Sequence, residues 1–392
     1  MSYNGLAEPL GRRQVVPYIA GLSARGHSFT VVSFEKGAPG EGAAAVHDAF
    51  RGSSVRWVPL RYHKRPTLPA TAYDCLQGIL TGLRESRGGL DLVHARSTVP
   101  AVMASWIASR RGVPWIYDVR GLVAQEYVDA AHWPRNGGLF RLTSAVERRL
   151  LRRADALVFL TARIRRELGA CGVVPAGKPT AVVPCCVDLE TFRPSGDDRR
   201  SGRQRLVLGQ EPLLVYSGSL GSWYLIDEMM AFFSVAREVI PDLAFLVITP
   251  EPARAREAAR RAGVAEWVLA RSATPDEVPA LLAAADAGIC FLRDSPSKNA
   301  SSPTKYAEYL ASGLPVITNP WTGDAQELSA EPSWILVAGL TTDHYRRPAE
   351  RLRDALADPE RQSSARGLAE RELGLGRALD GYEALYARIA GP

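Results

Sequence analysis

The stretch Ser302-Pro-Thr-Lys-Tyr-Ala-Glu-Tyr-Leu-Ala-Ser-Gly313, followed by Leu314-Pro-Val-Ile-Thr318, predicts a short helix that leads into a buried strand. Ser302 can cap this helix, Pro303 suits its first position, and Gly313 suits its exit. The same alternation of helix and short apolar strand extends in both directions along the chain. It predicts an α/β fold in which helices cover parallel sheets.

The predicted strands form two sets. The first set covers residues 29–34, 55–60, 90–95, 114–119, 156–160 and 180–184. The second set covers residues 213–217, 243–249, 267–270, 288–292, 315–318 and 334–337. Between them lies a polar, arginine-rich stretch, so we predict two doubly wound, Rossmann-like domains with a linker near residues 185–205. Ligands of such domains bind beyond the carboxyl ends of the strands, which favours a cleft between two facing domains.

The start of the chain departs from this pattern. Leu10 to Arg25 has the periodicity of a first helix, but only a few residues precede it. Either the first strand is absent from this chain, or the native start lies upstream. The first residues also lack a basic and apolar leader, so neither a signal peptide nor a membrane span is expected.

Composition excludes several classes of protein. With 392 residues, 46% of them hydrophobic, the chain can form two cores. Its formal charge of +6 is mild and its arginines are spread over many predicted helices, so no nucleic-acid partner is expected. Only five of the 48 basic residues are lysines, which is typical of a high-GC bacterial source.

The cysteines and histidines point to no covalent framework and no metal site. Five cysteines are an odd number, and two of them, Cys185 and Cys186, are adjacent, so we expect a reducing cytoplasm. The six histidines are scattered, and no pair has zinc-ligand spacing. No metal is therefore predicted.

The predicted helix after Ser302 carries the strongest candidate site. Thr304 and Lys305 lie in its first turn, where free amides and the helix dipole favour an anion. Glu308 shares their face because it follows them by four and three residues. A cation and amides beside a carboxylate suit a nucleotide diphosphate and its ribose. The alternative is a capped surface helix with a Lys305–Glu308 ion pair.

A glycine-rich turn follows the strand at residues 213–217. Gly218 and Gly221 allow backbone to approach a phosphate closely, and Ser219 and Ser222 add hydroxyl donors. The alternative is that the glycines serve the turn geometry alone. The turn matches neither the dinucleotide fingerprint nor the phosphate loop, which disfavours a dehydrogenase or a nucleoside triphosphatase.

The first half offers two more loops. Asp118, Arg120 and Glu126 follow a predicted strand and could hold a polyhydroxylated or cationic acceptor, although an internal Asp118–Arg120 ion pair is an equal alternative. Near the start, a second loop contains the candidate residues Gly5, Glu8 and Gly11.

A basic helical face further along the first half bears on membrane contact. It consists of Arg148, Arg149, Arg152 and Arg153. A solvated face is favoured over peripheral contact with anionic lipid, because no wedge of large apolar residues flanks it.

Taken together, these segments resemble family 4 glycosyltransferases (glycosyl transferases group 1), which have the GT-B fold and retain anomeric configuration. The resemblance spans nearly the whole chain. It rests on segments 5–27, 117–121, 183–192, 216–221 and 301–316.

The resemblance implies an acceptor domain at residues 1–190, a nucleotide-sugar domain at residues 205–374, and a C-terminal helix at residues 375–392 that crosses back to the first domain. It implies that the donor contacts Gly218, Ser219, Arg293, Ser302, Thr304, Lys305 and Glu308. It implies that the acceptor contacts Gly5, Glu8, Gly11, Asp118, Arg120 and Glu126. The residues assigned to catalysis are Asp118, Lys305 and Glu308.

The implied reaction transfers a sugar from a nucleotide diphosphate sugar, with UDP-sugar as the expected donor, to a hydroxyl of a small molecule or glycan. Bacterial natural-product or cell-surface polysaccharide biosynthesis is the expected setting. No cofactor is expected to be required, and the oligomeric state is left open.

The chain departs from the family pattern at three places. Ala300 stands where the first acid of the family's pair is expected, and the arginine and lysine common after the Gly218 strand are missing. Many relatives also carry a histidine where Tyr117 or Asp118 stands. Two alternatives follow: a GT-B sugar-nucleotide hydrolase or epimerase, and an inactive nucleotide-sugar-binding scaffold.

Overall fold

The computed structural model describes residues 1–37, 40–221 and 223–391. It divides into two compact units. The first comprises Met1–Pro184 with Leu375–Pro392, and the second comprises Cys185–Gly374. Each unit is built on parallel strands with helices between them, as the alternating pattern predicts.

The first unit contains two groups of parallel strands. The two-stranded group has the order β2-β1, and the four-stranded group has the order β3-β4-β5-β6. The strands are β1 (Phe29–Glu35), β2 (Val55–Arg61), β3 (Val93–Arg96), β4 (Trp115–Val119), β5 (Ala156–Phe159) and β6 (Thr180–Val182). Ser2 makes parallel bridges to Ser33 in β1 and to Arg96 in β3. The first strand is therefore reduced to this bridge, which joins the two groups.

The helices of the first unit pack in two layers, α1 to α3 in one and α4 to α7 in the other. They are α1 (Pro9–Gln14), α2 (Val16–Ala24), α3 (Glu41–Ala49), α4 (Thr67–Glu85), α5 (Thr98–Arg111), α6 (Val123–Asp129), α7 (Gly138–Arg153) and α8 (Ala162–Ala170). The single helix predicted from Leu10 to Arg25 is wrong, because the chain breaks at Val15. Pro17 lacks the amide that would continue the first helix into the second.

The second unit has one six-stranded parallel sheet in the order β12-β11-β10-β7-β8-β9. Its strands are β7 (Leu213–Ser217), β8 (Ala244–Ile248), β9 (Val268–Arg271), β10 (Ala287–Cys290), β11 (Val316–Thr318) and β12 (Trp334–Leu336). The order reverses between β7 and β10, which is the doubly wound arrangement. Each strand lies where an apolar run predicts it.

The helices of the second unit also form two layers, with α10, α11 and α14 in one and α9, α12, α13 and α15 in the other. They are α9 (Gly196–Leu206), α10 (Ile226–Val239), α11 (Pro252–Arg261), α12 (Val278–Ala283), α13 (Thr304–Ala311), α14 (Arg346–Ala357) and α15 (Arg361–Glu372). Residues 196–206, predicted as part of a linker, thus form a helix. The Ser195 hydroxyl caps it by accepting from the Asp198 amide at 3.2 Å.

The last helix, α16 (Leu375–Ala390), belongs to the first unit. It packs against α2, where Gly21 leaves room for the Leu379 side chain. Arg25 pairs with Asp380 at 2.7 Å and with Glu383 at 2.5 Å. Apolar contact and charge therefore both hold this helix on the first unit.

A buried carboxylate at the amino end of β10 ties the second unit together. Asp286 pairs with Arg199 at 2.9 Å, Arg361 at 3.1 Å and Arg203 at 3.5 Å. Its other contact is the Leu213 amide at 3.0 Å. One side chain thus links helices α9 and α15 to strands β7 and β10.

We predict that Asp286→Ala lowers the free energy of unfolding by about 3 kcal/mol, because three arginines lose a shared, buried counter-ion. Urea unfolding followed by tryptophan fluorescence measures this change. Asp343→Ala, at an exposed position of the same unit, is the control and should change stability little. Equal unfolding midpoints for the two variants would contradict the linking role of Asp286.

Candidate functional site

The central feature of the second unit is a buried lysine in the first turn of α13. Lys305 is 7% exposed and Glu308, one turn later, is 2% exposed. Thr304 begins the helix and is partly buried. The three residues share one helix face, as their spacing predicts, but Lys305 and Glu308 are buried, so α13 is not the surface helix of the alternative interpretation.

Two tyrosines and a glycine surround the Lys305 ammonium. Its Nζ lies 3.5 Å from the centre of the Tyr224 ring and 5.2 Å from that of the Tyr216 ring. Gly218 has a φ of +142°, and a Cβ placed there would lie 3.2 Å from Nζ. Glycine therefore lets the ammonium approach the turn after β7, whereas the sequence predicts close approach of a phosphate to this backbone.

The charge of Lys305 is preserved in this environment. Burial by itself lowers the pKa of the ammonium, but neighbouring Tyr224, Cys290 and Glu308 raise it above the ordinary lysine value. The site therefore presents a permanent cation beside a backbone turn at the carboxyl edge of the sheet. A cation beside backbone amides is an arrangement that favours an anion.

Helix α13 is held rigidly against the sheet. The Tyr309 hydroxyl accepts from the Ser217 amide at 2.8 Å, and the Tyr306 hydroxyl bonds the Thr318 hydroxyl at 2.6 Å. Gly288 in β10 leaves room for the Tyr309 ring, because any Cβ there would overlap it. Lys305 and Glu308 are thus preorganised by the strands beside them.

The prediction that the Ser302 side chain caps helix α13 is wrong. The residue before the first helical position is Pro303, and no side chain caps the helix. The Ser302 hydroxyl instead accepts from the Cys185 amide at 3.2 Å. Extended backbone at Pro303 directs Ser302 away from the helix, toward the chain that enters the second unit.

The remaining predicted donor residues lie on the loops after β7 and β10. Ser219 is exposed, and its carbonyl accepts from the Tyr216 hydroxyl at 2.6 Å. Arg293 is also exposed, and its amide donates to the Trp223 carbonyl at 2.8 Å. Ser222 lies outside the described residues. The Lys298 ammonium lies 4.0 Å from the centre of the Trp223 ring, so a second cation joins these loops.

In the first unit, Glu35 organises the loop that contains Gly5 and Gly11. Its carboxylate accepts from the Leu6 amide at 2.8 Å and the Ala7 amide at 3.1 Å. A Cβ at Gly5 would lie 2.5 Å from Glu35, and one at Gly11 would overlap the Gly5 carbonyl. Sequence reasoning missed Glu35, because it lies about 30 residues from the loop it binds.

Glu8 lies in the same loop, and its two carboxylate oxygens differ in their contacts. Its Oε2 pairs with the Lys36 ammonium at 3.1 Å. Its Oε1 is buried and has no hydrogen-bond partner in the described part of the chain. A carboxylate oxygen of this kind can accept from a hydroxyl group.

Asp118 lies in the core, where it contacts the C-terminal helix. It is 3% exposed. It accepts from the Tyr382 hydroxyl of α16 at 3.3 Å, and Arg120 and His94 lie 3.5 and 3.7 Å away. The internal Asp118–Arg120 pair is therefore present, and the same carboxylate contacts α16.

The neighbours of Asp118 keep it ionised. Burial by itself raises the pKa of this carboxyl, but the Arg120 guanidinium and the His94 ring bring it down to about 2. A folded pKa below the unfolded value of 3.8 contributes stability above pH 3.8. That contribution is lost as the pH falls toward 2.

Glu126 lies over Gly121, where any Cβ would overlap its carboxylate. Below it, the buried Glu147 accepts from the Val123 amide at 2.8 Å and the Thr98 hydroxyl at 3.1 Å. Burial raises the pKa of Glu147 to about 7. Glu147, which no motif indicated, thus fixes the start of α6.

Within the described ranges, no three histidine, cysteine or acidic side chains are grouped so that they could hold a metal ion. Among the same residues, no helix has the length and apolar character needed to cross a bilayer.

The comparisons with known proteins agree with this architecture. Residues 11–186 match the model of a glycosyl transferase 4-like domain, and residues 211–357 match that of glycosyl transferases group 1. The chain belongs to the family 4 (group 1) glycosyltransferases. As a member, it is a glycosyltransferase that uses a nucleotide sugar as donor.

A curated protein and several solved structures are also similar to this chain. A GDP-mannose-dependent alpha-(1-6)-phosphatidylinositol monomannoside mannosyltransferase of Mycolicibacterium smegmatis is 26% identical over 294 residues, which are 73% of this chain and 72% of that protein. A glycosyltransferase structure from Rickettsia africae covers 100% of this chain and 97% of its own, with a TM-score of 0.76 and 13% identity. Anabaena HepE in complex with UDP covers 99% of each chain, with a TM-score of 0.70 and 16% identity. These structures confirm the GT-B fold.

We predict that Asp118→Asn lowers the stability of the glycosyltransferase by about 2 kcal/mol at pH 7, because the ionised partner of Arg120 is lost. Urea unfolding of both proteins from pH 7 to pH 3 should show this difference shrinking below about pH 4. Asp91→Asn, at an exposed position of the same unit, is the matched control and should change stability little. A difference that stays constant with pH would contradict the lowered pKa.

Proposed function

We propose that this enzyme is a retaining glycosyltransferase that moves a sugar from a UDP-sugar to a hydroxyl of a small-molecule or glycan acceptor. The observation that carries the proposal is the buried Lys305 ammonium, which lies against Gly218 and one turn from Glu308. In this proposal the diphosphate binds between Lys305 and the backbone of the Gly218 turn. Glu308 accepts from the ribose hydroxyls.

Charge on the leaving group governs the proposed reaction. Cleavage of the bond between the anomeric carbon and phosphate oxygen leaves negative charge on the diphosphate and positive character on the sugar. Lys305 and backbone amides stabilise the departing charge without reorganisation. The acceptor oxygen then bonds the same face of the sugar, and its proton passes to the released phosphate. No cofactor is needed in this scheme.

In this proposal, neighbouring cations compensate for the arginine and lysine that are missing after Gly218. Ala300 provides no carboxylate, and no arginine or lysine directly follows Gly218. Lys305 therefore supplies the cation from α13, and Tyr224 holds it in place through its ring. Lys298 and Arg293, on the loop after β10, are further candidates to face the phosphates.

Acceptor binding in the first unit is proposed for the loop of Gly5 to Gly11. Glu8 offers a buried, unpartnered oxygen there, and Glu35 holds the loop backbone in position. Arg120 and Glu126 remain candidates on the loop after β4. We assign Asp118 to positioning of α16, because its carboxylate is buried against Tyr382.

A GDP-sugar is the second candidate donor. It is favoured by the mannosyltransferase relative, whose name specifies GDP-mannose, whereas the UDP complex of HepE supports the first. A sugar-nucleotide hydrolase is the alternative reaction, since water would then replace the acceptor hydroxyl.

We predict that one donor among UDP-, GDP-, dTDP- and ADP-sugars releases its nucleotide diphosphate in the presence of this enzyme. Lys305→Met should lower kcat/KM about 100-fold or more, because the leaving-group cation is removed. Glu308→Gln should raise KM about tenfold through weaker ribose contacts. Mass spectrometry of the released nucleotide measures both effects.

The matched controls are Arg346→Met and Glu238→Gln, which remove an exposed ion pair of the same unit. Both should retain activity. Unchanged release by Lys305→Met, with the native unfolding midpoint, would reject the assigned donor site. If no donor releases its nucleotide diphosphate and no free nucleotide raises the unfolding midpoint of the protein, the inactive-scaffold alternative is favoured.

We further predict retention at the anomeric carbon. Proton NMR of slow donor hydrolysis should show an α-linked donor yielding the α-anomer of the free sugar first, because attack occurs on the face that the leaving group vacates. The β-anomer as first product would indicate inversion and overturn the proposed mechanism. Turnover that does not increase with any acceptor would favour the hydrolase.

A further inference from the structure

The outer face of α4 is apolar over most of its length. Leu68, Tyr73, Leu76 and Leu80 have exposed fractions of 60, 55, 55 and 58%. A surface helix normally turns its polar residues outward. The polarity of α4 is therefore reversed, and nothing in the described chain covers these side chains.

Trp106 extends this apolar surface onto α5. The two helices pack closely, because a Cβ at Gly78 would lie 2.6 Å from Met103 and one at Gly82 would overlap Ile107. Trp106, adjacent to Ile107 in sequence, is 59% exposed. We name the combined surface of Leu68, Tyr73, Leu76, Leu80 and Trp106 the α4 face.

Basic residues lie at the ends of the α4 face, and all of them are exposed. They are Lys64, Arg65, Arg84, Arg87 and Arg110. The two carboxylates of this segment are occupied elsewhere. Asp74 is fully buried against His63 and Tyr3, and Glu85 pairs with Arg56. The surroundings of the α4 face are therefore strongly positive.

We propose that the α4 face docks on the surface of a bilayer that contains anionic lipid. The leucines would enter the boundary between headgroups and acyl chains, where tyrosine and tryptophan rings are also favoured. The arginines and lysine would contact the lipid phosphates. Apolar insertion and basic charge together supply the two signals that stable peripheral binding requires.

Charge argues against a second copy of this chain as the occupant. A two-fold contact between two α4 faces would place basic ends against basic ends, whichever direction the helices run. A bilayer with negative headgroups has no such repulsion. This inference goes beyond the proposed function and does not depend on the identity of the donor.

The test is co-sedimentation of the full chain with vesicles of phosphatidylcholine alone or mixed with phosphatidylglycerol. Binding is expected only to the mixed vesicles and should weaken with salt. Leu76→Ser/Leu80→Ser should reduce partitioning at least tenfold. Its matched control is Leu142→Ser, because Leu142 is 62% exposed on α7 and outside the α4 face.

Charge variants test the second signal. Arg84→Gln/Arg87→Gln should reduce partitioning about tenfold. Arg148→Gln/Arg149→Gln, on the basic face of α7, should leave it unchanged. Native unfolding midpoints and unchanged nucleotide release by these variants would separate a membrane defect from a failure of the donor site.

Three results would overturn the proposal. The first is equal binding to neutral and mixed vesicles, or none to either. The second is binding by the leucine and arginine variants that matches the wild type. The third is a dimer in sedimentation velocity that Leu76→Ser/Leu80→Ser dissociates, since it would assign the α4 face to a second copy.

Discussion

The buried ammonium of Lys305 is the interaction on which the proposed donor site of this glycosyltransferase depends. A buried cation requires compensation, and the second unit provides it from several elements. Tyr224 offers a ring face, Gly218 offers close backbone, and Glu308 offers negative charge. The tyrosine contacts that fix α13 to the sheet then determine where the charge points. The strand order therefore determines where this cation lies, because β7 and β10 are neighbours at the switch point.

Two other buried charges serve the architecture. Asp286 gathers three arginines at the amino end of β10, and Asp118 joins Arg120, His94 and Tyr382 near the carboxyl end of β4. In each case one carboxylate joins elements of the chain that are remote in sequence. Removal of either carboxylate leaves its cations uncompensated inside the protein. Such residues resemble catalytic ones in a sequence, since both kinds place charge beside buried strands.

The first unit combines an interior loop with an unusual exterior. Inside, Glu35 occupies the amides of the Gly5 to Gly11 loop and gives that loop a fixed shape. Outside, the α4 face presents leucines where polar residues are normal. An apolar face that folding leaves uncovered retains a hydrophobic driving force for association.

The sequence alone determined the α/β class and the position of every strand in the described chain. It also determined the helix that carries Thr304, Lys305 and Glu308. These features are predictable because apolar runs and turn residues act locally. The sequence failed where distant groups decide. Ser302 binds Cys185, and Glu35 and Tyr224 hold sites that no motif includes. The break between α1 and α2 is a different case, because Pro17 interrupts the helix locally. Only the tertiary structure showed that the Asp118 carboxylate is buried and contacts Tyr382 of α16. Hydrogen bonding and burial depend on neighbours brought together by folding, and periodicity carries no information about them.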